Sequence, residues 1–75
     1  MKNRVRELRK KYNMTQQQLA DAVYVSARTI ISLEQGQYNP SIMLAYRITI
    51  ILATTIEDLY CLEQNKRKED EHHDD

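Results

Sequence analysis

Tryptophan and phenylalanine are absent from the 75-residue chain, and glycine, proline and cysteine each occur once. The single cysteine, Cys61, excludes an intrachain disulfide, and no four metal ligands stand at useful spacing. A chain this short buries a modest core and is marginal alone, so self-association is the expected supplement. No stretch approaches the ~20 apolar residues of a membrane span. The basic segment from Met1 to Lys11 has no following apolar run of signal-peptide type. The expected compartment is the cytoplasm, with no membrane partner. A glycine-rich phosphate loop, a histidine within residues 1–62 and a nucleophile beside a base are all missing. The expectation is a non-enzyme with no cofactor and no metal.

Net charge is also absent, but its distribution is uneven. Residues 1–62 carry eight Lys/Arg against five acids, a net of +3, and residues 63–75 carry three against six, a net of −3. A basic body is masked by an acidic tail, and local sign governs attraction to a polyanion. The tail has no apolar residue. It is expected to be disordered, giving a folded domain over 1–62 and an acidic tail over 63–75. His72 and His73 lie among the tail's acids and read as solvated rather than metal-binding. Cys61 reads as a small buried hydrophobe more readily than as a redox sensor.

What is present is helix-forming, with Gly36 and Pro40 as the only strong punctuation. Thr15 with Gln18 has the form of a capping box, Ser26 precedes Ala27–Gln35 and Ser41 precedes Ile42–Leu52. Thr54 or Thr55 opens a short helix at Ile56–Tyr60, and Val5, Leu8 and Tyr12 mark a first helix over Asn3–Tyr12. The spacing predicts an all-α domain of five helices.

On a wheel at ~100° per residue the third helix turns Ile30 and Leu33 inward and Ala27, Arg28, Ile31, Ser32 and Gln35 outward. That outer face holds a long cation, a hydroxyl, an amide and small or branched apolar groups, without an acid. Such groups read base edges in a DNA major groove: Arg forks onto guanine, Gln matches adenine, and Ile or Ala meets a thymine methyl. On the wheel alone, a solvated face carrying a stray Ile31 reads the same way. Gln16 and Gln17 open the preceding helix, where free N–H groups attract phosphate; ordinary capping and solubility account for them equally.

The segment TQQQLADAVYVSARTIISLEQGQYNPS carries T-Q-x-x-L-A, V-S-x-x-T-I, L-E-x-G and P-S in order. It resembles the Cro/CI-type (Xre-like) helix-turn-helix family, over residues 3–60, in its small stand-alone form. The resemblance implies a five-helix lambda-repressor-like fold and a regulator of double-stranded DNA. Its third helix would lie in the major groove. It implies that Gln16 contacts phosphate, that Ala27, Arg28 and Ser32 contact bases, and that Gln37, Tyr38 and Asn39 touch the backbone. It also implies a structural Arg9–Glu34 pair. Tyr24 departs from the pattern, since the family often has glycine at this turn, where φ is positive. Either the turn takes another conformation or Tyr24 bears the strain.

Residues 42–52 are apolar almost all round. Ala45, Ile48, Thr49 and Leu52, joined by Leu44 and Ile51, face the core, and Met43, Tyr46 and Ile50 form a second stripe. A helix apolar on two faces is buried twice, and the expected second partner is another copy. Tyr60 and Leu62, with Cys61, extend this homodimer patch, with the option of a two-stranded terminal sheet. Scattered surface apolar groups would give the same pattern. The leading expectation is a homodimeric repressor acting on an inverted repeat. The alternative is an antitoxin or adaptor whose helix-4 patch binds a different protein.

Overall fold

The computed structural model describes residues 3–71; His72, His73 and the tail's last two acids lie outside them. Six helices follow in order: α1 Val5–Lys11, α2 Gln16–Ala22, α3 Ala27–Glu34, α4 Ile42–Ile51, α5 Ile56–Leu59 and α6 Leu62–Glu71. No strand occurs among the described residues. Instead of a terminal sheet, a single backbone bond, from the Arg4 N–H to the Leu59 carbonyl at 2.7 Å, joins the start of the chain to α5.

The starts of α2 to α5 have one chemical cause. Thr15, Ser26, Ser41 and Thr55 each accept the backbone N–H three residues on through a side-chain oxygen, at 3.0–3.2 Å. Each such cap contributes ~1 kcal/mol. At Thr15 the box is complete, since the Gln18 side chain accepts the Thr15 N–H at 2.8 Å. The start of α1 uses Asn3, whose Oδ1 accepts the Val5 N–H.

The ends also share one cause, and glycine supplies it once. Helices α1 to α5 are each followed by a residue of left-handed conformation: Asn13 (φ 57), Tyr24 (φ 65), Gly36 (φ 76), Ala53 (φ 51) and Cys61 (φ 50). After α1 to α4 the next N–H reaches back to an orphan helix carbonyl: Met14 to Arg9, Val25 to Ala20, Gln37 to Ser32 and Thr54 to Thr49. A non-glycine residue there costs ~1–2 kcal/mol. Tyr24 therefore does take the positive φ, and its ring lies under the Arg47 guanidinium at 5.3 Å. An exposed cation–π contact returns ~0.5–1 kcal/mol, offsetting part of that strain.

The core lies between α1, α2, α3 and α4 and is closed by α5. Val5, Leu19, Val23, Ile30, Leu33, Ile48, Leu52 and Leu59 are completely buried. Ile51 is exposed rather than internal, because the buried face of α4 runs through Leu44, Ala45, Ile48 and Thr49.

Two expectations are corrected here. The tail is helical as far as Glu71. Pairs one turn apart, Glu63–Arg67 at 3.2 Å and Lys66–Asp70 at 2.6 Å, line this helix, and the Asn65 amide donates to the Tyr60 carbonyl. Such pairs contribute ~0.2–0.5 kcal/mol each and let a polar segment continue a helix begun on the body. Tyr60 is not on the surface: it is 4% exposed and belongs to the core. Burial pushes its phenol up to about 12.

Ala53 is exposed and makes a left-handed turn that glycine makes without a Cβ clash. Ala53→Gly is expected to gain ~0.5–1 kcal/mol, raising Tm by several degrees. Thermal unfolding by circular dichroism reads this directly; a lower Tm would mean that the turn after α4 is not left-handed.

Candidate nucleic-acid interface

The outer face of α3 is held from behind. Arg9, on α1, extends its guanidinium between three segments: Nε meets Glu34 Oε2 at 2.6 Å, Nη2 meets Glu34 Oε1 at 3.2 Å, and Nη1 donates to the Met14 carbonyl at 2.7 Å. The Gln16 amide adds a fourth bond, to Glu34 Oε1 at 3.2 Å. Arg9 and Glu34 side chains are 9% and 5% exposed. This joins α1, the α1–α2 turn, the first residue of α2 and the last residue of α3 at one carboxylate. On the other side, the Asn3 amide donates to the Leu33 carbonyl at 2.8 Å.

With Ile30 and Leu33 sealed beneath, α3 turns its other residues outward. Arg28, Ile31 and Gln35 are exposed and Ser32 is half-buried. Ala27 is half-buried and packs against the core, so less of it faces outward than the wheel gives. Arg28 makes no ion pair among the described residues, which leaves its five N–H donors for an external acceptor. Gln37, Tyr38 and Asn39 are exposed in the connection from α3 to α4, beside the end of the same face.

The two glutamines at the start of α2 are more committed than expected. Gln16 is half-buried on Glu34, and the Gln17 amide donates to Asp21 at 2.8 Å. Each keeps a second amide hydrogen and its carbonyl oxygen, so an outside contact would extend an existing bond.

The stripe on α4 is open. Met43, Tyr46 and Ile50 are each more than half exposed, and Ile42 beside them is 80% exposed. Leu62, at the start of α6, is also exposed. Tyr60, buried against the core, is removed from this surface. Cys61 is half-buried and free.

Sequence reasoning missed several participants. The Asn3 side chain meets the Leu33 carbonyl and the Val5 N–H, and Arg9 meets the Met14 carbonyl; such backbone partners leave no residue signature. The cluster of Arg4 with Glu7 at 2.6 Å and Asp58 at 2.7 Å ties α1 to α5. The paired carboxylates raise the Arg4 pKa, and Arg4 lowers that of Glu7. Glu7 is one helical turn from Arg4 and visible in the sequence, but Asp58 is a contact of the fold.

An all-α body that projects one capped helix with an unpaired arginine, a hydroxyl and amides, braced by the helix before it, is a DNA-binding domain of helix-turn-helix geometry. The comparisons agree. A helix-turn-helix family model matches residues 5–59. An HTH-type transcriptional regulator of Archaeoglobus fulgidus is 47% identical over 66 residues, 88% of this chain and 94% of that protein. One from Methanothermobacter thermautotrophicus is 44% identical over 69 residues, 91% of this chain and all of that protein. One from Bacillus subtilis is 38% identical over 64 residues, 85% and 97% of the two chains. The chain belongs to the Xre-like helix-turn-helix family of DNA-binding transcriptional regulators. That is a non-enzyme kind of protein, and no helix among its described residues is long and apolar enough to cross a membrane.

Removing one member of a buried ion pair leaves the other charged and unsolvated, at ~3–5 kcal/mol. Arg9→Met is therefore expected to lower the urea midpoint far more than the double replacement Arg9→Met with Glu34→Leu. A double-variant loss equal to the sum of the two single losses would show that the pair is not coupled.

Proposed function

We propose that the protein is a repressor that binds an inverted repeat of double-stranded DNA as a homodimer, with α3 in the major groove. The observation that carries this reading is the exposed, acid-free face of α3, anchored by Ile30 and Leu33. Arg28, Ser32, Ala27, Ile31 and Gln35 meet base edges in it. Gln16, Gln17, Gln37, Tyr38 and Asn39 meet the phosphate backbone, which fixes register without reading sequence. The body over residues 1–62 does the binding, in the cytoplasm, where promoter DNA is found. Segment 63–75, with α6 at its start, is an acidic appendage.

The half-exposed stripe of Met43, Tyr46 and Ile50 supports the homodimer, with Leu62 as an added member. A closed two-fold pair would set two copies of α3 about one DNA turn, ~34 Å, apart. A bound pair would repress by occupying the promoter and excluding polymerase.

Selection of duplexes from a random pool tests the first part. The selected pool is expected to contain an inverted repeat, and Arg28→Ala should cost ~1–3 kcal/mol at one base pair per half-site and relax selectivity there. Unchanged selectivity in Arg28→Ala would remove α3's outer face as the reader.

Ile50→Glu tests the second part by placing a charge on the stripe. Light scattering should show the wild type as a dimer and the variant as a monomer, with weakened binding to the repeat. A wild type that is monomeric alone and recovered with a different protein would replace the homodimer with the antitoxin or adaptor reading.

A further inference from the structure

Arg4, Arg6 and Arg9 lie at the start of the chain, and their chemistry differs. Arg4 is bound to Glu7 and Asp58, and Arg9 to Glu34 and the Met14 carbonyl. Arg6 is exposed and has neither an ion pair nor a hydrogen bond to a described residue. On α1 it sits ~60° round from Arg9, on the flank toward α3.

Arg6 also borders an open groove of about 470 Å³, with Thr15, Gln16, Ile31 and Gln35 on its walls and the Arg9–Glu34 pair as its floor. Ile31 and Gln35 belong to the outer face of α3, so a ligand lying along that face runs beside Arg6. The floor carboxylate does not quench the cation, because Arg9 and Gln16 already supply it with three donors. The remaining walls offer a hydroxyl, amides and one apolar group. Such a lining suits an anion that carries no positive charge and continues past the groove.

We propose that Arg6 is a DNA-anchoring residue: its guanidinium holds one backbone phosphate on the strand that flanks α3, and the contact is made by α1 rather than by the two helices of the motif. This rests on the reading that α3 lies in the major groove. An arginine fork fits a phosphate through two parallel N–H···O bonds, and it adds affinity without base preference.

Two duplexes separate this contact from the reading helix: one isolated by the wild-type protein from a random pool, and one of mixed sequence. Each is titrated with wild type, Arg6→Gln, Arg6→Lys and Arg28→Ala from about 50 to 200 mM salt. Arg6→Gln is expected to flatten the log–log salt slope by about 0.9 per protomer on both duplexes. The ratio of affinities between the two duplexes, and Tm, should stay at the wild-type values. Arg6→Lys should keep most of the slope. An unchanged slope in Arg6→Gln, or a drop matched by a fall in Tm that lysine does not rescue, overturns the proposal. If Arg28→Ala abolishes the preference for the selected duplex while Arg6→Gln has no effect, the reading helix stands and the Arg6 site falls. If Arg6→Gln flattens the slope while Arg28→Ala leaves the preference intact, the phosphate site stands and the assignment of α3 falls.

Discussion

The orientation of α3 depends on one buried carboxylate. Glu34 ends α3, and its two oxygens receive Arg9 from α1 and Gln16 from α2. Three short helices have few ways to fix their mutual angles. Apolar contacts among Leu8, Leu19, Ile30 and Leu33 supply most of the burial but little direction, since the hydrophobic effect is non-directional. A planar guanidinium with one carboxylate and one carbonyl accepts a narrow set of orientations. The pair therefore acts less as a source of net stability, which buried pairs often do not provide, than as a constraint on where α3 points.

The same arrangement explains why Gln16 has two duties. Its amide completes the Glu34 contacts while the residue opens the helix that braces α3. A phosphate contact at Gln16 would be transmitted to Glu34 and thence to the end of α3. Were Gln16 to hold a phosphate, as proposed, backbone binding and the orientation of α3 would be physically joined.

Much of this was legible because short polar residues announce helix starts. Thr15, Ser26, Ser41 and Thr55 cap as their neighbours suggest, and the period of Ile30 and Leu33 gives the buried side of α3. The ends were harder to read. Gly36 and Asn13 are residue types that favour the left-handed region, while Tyr24, Ala53 and Cys61 adopt it against their own preference. Tyr60 was misplaced for a similar reason: an aromatic near a chain's end can face either way, and the fold gave it to the core. The helical segment from Leu62 was missed because composition measures the lack of a core and is blind to charge pairs one turn apart. The Arg9–Glu34 pair could be proposed only through family resemblance, as residues 25 positions apart carry no local signal.

The arginines show how one chain divides a single chemistry. Two of them, Arg4 and Arg9, are consumed by carboxylates of the same chain, the first at the surface and the second buried, and each fastens α1 to a distant helix. Arg28 and Arg6 have no such acid partner among the described residues, and both lie along the α3 surface. In water an exposed guanidinium gains little from an exposed acid, typically below ~1 kcal/mol. Opposite a polyanion with condensed counterions, the same group gains the entropy of their release. Leaving those two cations unpaired therefore costs the folded protein almost nothing, and on the proposed reading the gain comes when a duplex is present. The acids that balance the total charge lie in residues 63–75, where six acids against three bases give a net of −3.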